Sequence, residues 1–116
     1  MNAGQILPVR FFRTGAGNEP AREWLKSLSR EEKKLIGEDI KMVQLGWPLG
    51  MPLVSKLCLG IWEVRTRLDG KASRILFTVF ENQIIILHGF IKKTRKTPGN
   101  DLRLAVKRME LIKRGD

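Results

Sequence analysis

The stretch IWEVRTRLDGKASRILFTVF, residues 61–80, decides the fold of this protein. It contains two segments rich in β-branched and aromatic residues, and the Asp69-Gly70 pair between them suits a two-residue hairpin turn. Side chains alternate along a strand, so residues 62, 64, 66 and 68 share one face while residues 63, 65 and 67 share the other. The stretch therefore predicts an antiparallel hairpin.

Neighbouring segments extend this hairpin into a sheet. LVSKL at 53–57 precedes it and QIIILHGFI at 83–91 follows it, with ENQ at 81–83 supplying the second turn. ILPVRFFR at 6–13 suits a further strand at or near a sheet edge, because Pro8 has no backbone N–H to donate. We expect a mainly antiparallel twisted sheet.

Two helices are predicted between the first strand and the hairpin. Asn18 can cap a helix through EPAREWLKSL that has Pro20 in its first turn. Ser29 and Glu32 have the spacing of a capping box, which starts a second helix, and the apolar stripe of that helix ends at Gly46. The two helices should form a hairpin.

A third, amphipathic and basic helix is predicted near the end of the chain, with Thr97 as its cap and Pro98 at its first position. The element order is then β-α-α-β-β-β-β-α. We predict a single α+β domain over residues 1–116 in which helices cover one face of the sheet. The tryptophans should lie in the core: Trp24, Trp47 and Trp62.

The composition is strongly basic. The 116 residues include 22 Lys and Arg against 12 Asp and Glu, for a formal net charge of +10 and a pI near 10.4. Such a balance favours a polyanionic partner, because neutralising phosphates releases counterions. No apolar stretch approaches the roughly 20 residues of a membrane-spanning helix. Cys58 is the only cysteine and no signal-peptide pattern is present, so we expect a cytoplasmic protein.

Arginines line up across the predicted hairpin. A two-residue turn puts Arg65 opposite Arg74, a four-residue loop puts Arg67 there, and a three-residue loop removes the alignment. Facing like charges cost up to about 1 kcal/mol. Glu63 shares this face and could pair with Arg65 as an ordinary surface salt bridge, but one glutamate cannot neutralise three arginines. The alignment therefore indicates an anion site.

The strand after the hairpin runs into HGFIKKTRKT, whose cations can converge on the same concavity: Lys92, Lys93, Arg95 and Lys96. A planar guanidinium fork suits phosphate oxygens, so the predicted ligand is a phosphate. His88 lies in an apolar strand, where a hydrogen-bonded structural imidazole is the favoured interpretation. Glu38 and Asp39 lie in the middle of a helix and should face solvent, and no cluster has the spacing of a metal site.

Four segments, LGIWEVRTR, ASRILFTV, IIILHGFIKKTRKTP and LRLAVKRMEL, resemble the RelE/ParE toxin superfamily, specifically its HigB-like, phage-derived branch. The resemblance implies a RelE-like fold and a toxin of a type II toxin-antitoxin pair that cuts mRNA on the ribosome. In such relatives the ribose 2′-OH attacks the adjacent phosphate and leaves a 2′,3′-cyclic phosphate, without metal or other cofactor. The implied partners are the ribosome, mRNA and a cognate antitoxin, often a HigA-like helix-turn-helix protein.

The resemblance also implies roles for individual residues. Its catalytic positions correspond to Arg65, Arg74 and Lys92, and its substrate-binding positions to Arg67, Lys93, Arg95, Lys96 and Phe90. The general base stays open between Lys92, Lys93 and His88. Several members use a tyrosine near the C-terminus, which this chain lacks; Phe90 can stack on a base but cannot donate a proton.

Two alternatives accompany the nuclease interpretation. ParE-like relatives inhibit DNA gyrase through protein contacts and lack the catalytic basic set, so the arginines and lysines retained here favour cleavage. An inactive RNA-binding relative can keep the same fold.

Overall fold

The computed structural model describes residues 6–50, 52–92 and 97–115. Five strands and three helices follow one another in these residues: β1 Val9–Phe11, α1 Pro20–Lys26, α2 Arg30–Gly46, β2 Val54–Cys58, β3 Ile61–Leu68, β4 Lys71–Phe80, β5 Gln83–Lys92 and α3 Gly99–Lys113. The strands form one sheet in the order β1-β5-β4-β3-β2. The predicted α+β class is confirmed.

Short turns set the register of the sheet. Strands β2 to β5 form an antiparallel meander, and β1 adds in parallel to β5 at the edge. Leu68 pairs with Lys71, so the first turn is the two-residue type predicted from Asp69-Gly70. The second turn uses Glu81 and Asn82, with positive φ angles of 52° and 62°. Positive φ at both central residues matches the right-handed twist of the flanking strands.

Helices cover both faces of the sheet, so the prediction of one covered face was wrong. Helices α1 and α2 share a core with residues such as Val64 and Phe77, while α3 packs over Leu76 and Leu87 on the opposite face. The reason lies in β5, where residues 84–87 are four consecutive apolar residues and all are buried. A strand that is apolar on both sides needs cover on both sides.

The start of α2 follows the predicted capping box, and the start of α1 does not follow the predicted cap. The Ser29 hydroxyl accepts from the Glu32 backbone at 3.1 Å, and the Glu32 carboxylate accepts from the Ser29 backbone at 3.1 Å. The N-cap of α1 is Glu19 instead of Asn18. Asn18 belongs to the preceding turn, where its backbone N–H donates to the Thr14 hydroxyl.

The tryptophans pack in the core cluster beneath α1 and α2, as predicted. The Trp47 ring meets Trp62 edge-on at 4.9 Å between centroids, and Phe77 lies within 5.5 Å of Trp47. Trp24 lies directly on the backbone of β5, because Gly89 has no side chain there. A Cβ at Gly89 would lie 2.6 Å from two ring carbons of Trp24.

Two glycine-to-alanine changes should therefore act in opposite directions. Gly89→Ala should lower the free energy of unfolding by about 1 to 3 kcal/mol, because a packed ring must move. Gly37→Ala, in the exposed interior of α2 with nothing within 4 Å of an added Cβ, should raise it by about 0.5 to 1 kcal/mol. Urea unfolding followed by tryptophan fluorescence measures both, and a neutral Gly89→Ala would contradict the packing described for Trp24.

Candidate functional site

Three rows of side chains cross the sheet on the face that α3 covers. We call them by their members: the arginine row is Arg65, Arg74 and Phe90; the lysine row is Arg67, Ala72 and Lys92; and the glutamate row is Glu63, Leu76 and His88. The predicted pairing of Arg65 with Arg74 is confirmed, because the turn has two residues. The rows bring the candidate residues of three strands onto one surface.

Glu63 forms an ion pair with Arg74, not with Arg65. The Arg74 Nη1 donates to Glu63 Oε1, and the two residues are 5% and 2% exposed. The alternative of a surface salt bridge between Glu63 and Arg65 is not observed, because Arg65 is exposed to solvent while Arg74 lies in the next row beside the carboxylate. Among the described residues, the buried Nε of Arg74 has no acceptor.

Thr97 holds the second oxygen of the same carboxylate. Its hydroxyl donates to Glu63 Oε2 at 2.5 Å. The N-cap of α3 is Pro98 and the helix starts at Gly99, so the predicted roles of Thr97 as cap and Pro98 as first residue were wrong. The Thr97 hydroxyl donates to a side chain of β3 and does not cap α3. This contact holds Thr97, two residues before the start of α3, against the glutamate row.

His88 makes a second contact between the sheet and α3. Its Nε2 lies 2.5 Å from Asp101 Oδ1, in the first turn of the helix, and its ring stacks on Phe90 at 5.5 Å between centroids. The strand register skips Leu87, so Leu87 and His88 both face α3. A hydrogen-bonded imidazole agrees with the structural role that the sequence favoured for His88.

Lys92 is buried beside the arginine row, with 5% of its surface exposed. Burial lowers the pKa of its ammonium group below the ordinary value for lysine, and the cations Arg74 and Arg65 lower this pKa further, whereas Glu63 raises it. Desolvation and like charges both disfavour the charged form of a lysine. Neutral Lys92 therefore becomes available at a lower pH than an ordinary lysine would allow.

The other predicted site residues are exposed, partly buried or outside the described part of the chain. Arg65 and Arg67 are exposed on β3, and Phe90 is partly buried between His88 and the core beneath α3. Lys93, Arg95 and Lys96 lie outside the described residues. Arg65 and Arg67 therefore lie at the surface of this face, and Arg74 and Lys92 are buried beneath it.

Sequence reasoning missed three residues that organise this face: Glu63 as the partner of Arg74, Thr97, and Asp101. The one available signal was Glu63 itself, a carboxylate two positions before Arg65 on the same strand face. Asp39, predicted to face solvent, accepts from the Thr66 hydroxyl at 2.8 Å on the opposite face of the sheet. No group of three or more residues suited to a metal ion occurs in the part of the chain that the structure describes.

This architecture defines a small basic α+β protein with a cationic sheet face beneath the start of a helix. A family model described as Phage derived protein Gp49-like (DUF891) matches residues 23–110, and the protein belongs to that family. The family is part of the RelE/HigB-like toxin group of toxin-antitoxin systems, which implies an antitoxin partner. No curated protein matches the chain. None of the helices in the described ranges is long and apolar enough to cross a membrane.

The buried ion pair predicts unequal effects of two arginine substitutions on stability. Arg74→Ala should lower the free energy of unfolding by about 3 to 5 kcal/mol, because it leaves the Glu63 carboxylate buried without a cation. Arg65→Ala should change it by less than about 0.5 kcal/mol, since Arg65 is exposed. Urea unfolding of both variants gives the comparison, and equal losses would contradict the assigned pairing.

Proposed function

We propose that this protein is a ribosome-dependent mRNA endonuclease, the toxin of a type II toxin-antitoxin module, which cleaves without a metal ion. The observation that carries the proposal is the arginine row with Lys92 in the adjoining row. Membership in a toxin-like family supports the toxin role. The cationic face supports RNA as the substrate, because its backbone supplies closely spaced phosphates.

In the proposed reaction, the arginines stabilise charge on the phosphate. Arg65 and Arg67 are exposed and contact phosphate oxygens, and Arg74 adds its charge from the buried part of the same row. A guanidinium fork binds two phosphate oxygens at once. As the 2′-oxygen attacks, negative charge develops on the phosphorane, and preorganised donors aimed at that charge lower the barrier by about 3 to 4 kcal/mol each.

Lys92 is the proposed general base. Its neutral amine takes the proton of the 2′-OH, the 2′-oxygen forms a bond to phosphorus, and the bond from phosphorus to the 5′-oxygen of the next nucleotide breaks. The leaving 5′-oxygen takes a proton, for which His88 and Lys93 are the candidates. Because burial and two arginines lower the pKa of Lys92, it is better suited to accept a proton near neutral pH than an exposed lysine.

Other parts of the surface complete the proposed substrate site. Phe90 presents a ring on which a base can stack, and the basic segment that follows β5 contributes further phosphate contacts: Lys93, Arg95 and Lys96. The proposed antitoxin is a HigA-like helix-turn-helix protein, and an acidic segment of it would complement the cationic face. We place this activity in the cytoplasm, where ribosomes and mRNA occur.

One observation favours the alternative of a toxin that inhibits gyrase without cleaving RNA. Glu63 offsets the charge of Arg74 inside the fold, which reduces the field available to a phosphate. Translating extract separates the two functions. The protein is treated with EDTA, and mRNA ends are read by primer extension. New ends within codons that appear only when ribosomes are present support the nuclease. Intact mRNA together with inhibited gyrase supports the alternative.

Arg65→Ala should lower the rate of this cleavage by about 10²-fold or more, because it removes a donor to the developing charge. Arg65 is a better residue than Arg74 for this test, because the substitution of an exposed arginine should leave the fold intact. Arg30→Ala, an exposed arginine on α2, is the matched control and should cleave at the wild-type rate. Equal rates for Arg65→Ala and wild type would remove Arg65 from the site.

The pH dependence of cleavage tests Lys92 as the base. Because only its neutral form accepts a proton, the rate should rise with pH and level off above the lowered pKa of Lys92. Lys92→Arg keeps the charge but cannot deprotonate, so it should cleave about 10² to 10⁴-fold more slowly and lose the rise with pH. A rate that falls as pH increases would instead assign Lys92 as the proton donor.

A further inference from the structure

We propose that Glu63 is a positioning residue. Its buried carboxylate accepts a hydrogen bond from one nitrogen of Arg74 and another from the Thr97 hydroxyl. These contacts orient Arg74 so that its Nε faces the substrate phosphate. This inference rests on the proposed nuclease function and adds a residue to its machinery. Glu63 does not touch the substrate in this proposal. It acts through Arg74.

The first step of the argument is the burial of the carboxylate. Glu63 is 2% exposed and both of its oxygens are used, Oε1 by Arg74 and Oε2 by Thr97. A buried ion pair is weak evidence for stability, because apolar residues of similar volume are often as stable in its place. Stability alone therefore does not explain why the carboxylate is buried here, and the arginine row beside it gives it a second role.

The second step concerns the Nε of Arg74. Arg74 is 5% exposed, and its Nε has no acceptor among the described residues although its Nη1 is bound to Glu63. A buried donor without an acceptor costs free energy, and an anion placed at that edge would remove the cost. Held at one end by a carboxylate, the guanidinium cannot rotate freely, and its orientation is set before the phosphate arrives.

The third step concerns the lysine in the adjoining row. The negative charge of Glu63 raises the pKa of Lys92, against the lowering by burial, Arg74 and Arg65. Other charged or titratable groups on this face are Arg67, in the same row as Lys92, and the His88 and Asp101 pair beside α3. Arg108 of α3 donates to the Leu87 carbonyl, and Arg10 lies towards the β1 edge with Phe12. Removing the charge of Glu63 should therefore lower the pKa of Lys92 further, so the same substitution changes both the hold on Arg74 and the proton affinity of Lys92.

Glu63→Gln tests the positioning role because it keeps the shape of the side chain and removes its charge. We expect kcat for cleavage to fall by about 10²-fold with little change in KM, since the exposed arginines still bind the RNA. The rise of the rate with pH should move to lower pH. Thr97→Val, which removes the hydroxyl that holds the carboxylate, should give a smaller loss in kcat of the same kind.

Asp39→Asn is the matched control. Asp39 is also a carboxylate that accepts from a hydroxyl, Thr66 of the same strand, but it lies on the opposite face of the sheet. It should leave kcat and the pH profile unchanged. Two results would overturn the proposal and make Glu63 a structural residue. One is an equal reduction of kcat in Glu63→Gln and Asp39→Asn. The other is a reduction of kcat in Glu63→Gln that equals the fraction of the variant found unfolded by urea titration.

A binding measurement separates this inference from the nuclease proposal. The NMR signal of Arg74 Nε–H, followed while inorganic phosphate is added, should shift and saturate in wild type, and Glu63→Gln should need about tenfold more phosphate, because its guanidinium is no longer held. Equal affinities, or no response in wild type, would overturn the role of Glu63. A normal phosphate response without any mRNA cleavage would overturn the nuclease function alone and leave the positioning of an anion site intact.

Discussion

The ion pair between Glu63 and Arg74 is the contact on which the arrangement of the cationic face depends. It joins β3 to β4 beneath the start of α3, and Thr97 extends it to the segment that leads into that helix. Facing arginines on adjacent strands repel each other, and the carboxylate in the neighbouring row offsets part of that repulsion. A protein with Arg65 opposite Arg74 can thus keep the register that its short turn imposes.

The same face carries both a hydrophobic core and a polar site because the contacts of α3 with the sheet change along the helix. The body of the helix packs on apolar residues such as Leu76 and Leu87, whereas its first turn and the residues before it meet the sheet through polar contacts. His88 with Asp101 and Glu63 with Thr97 are those contacts. They add polar contacts to the apolar packing of Leu102 at the start of α3, and this places polar side chains beside the arginine row.

The sequence predicted what local rules control. Asp69-Gly70 set the hairpin register, and the alternation of β3 then placed its arginines on one face with Glu63. The sequence did not predict the ion pair between Glu63 and Arg74, because a diagonal contact between strands depends on strand twist and side-chain rotamers. The burial of Lys92 was also out of reach, since it depends on how the elements of the fold assemble and not on any local pattern.

Burial divides the candidate residues into two kinds that chemistry can use differently. Arg65 and Arg67 are exposed, where screening weakens each charge but leaves it accessible to an incoming phosphate. Arg74 and Lys92 are buried, and electrostatic effects are stronger away from water. For Lys92, burial and the neighbouring arginines lower the pKa of the ammonium group. The two kinds of residue therefore differ in what burial does to them: the exposed arginines keep contact with solvent, whereas the buried lysine has a pKa lowered by desolvation and by the arginines beside it.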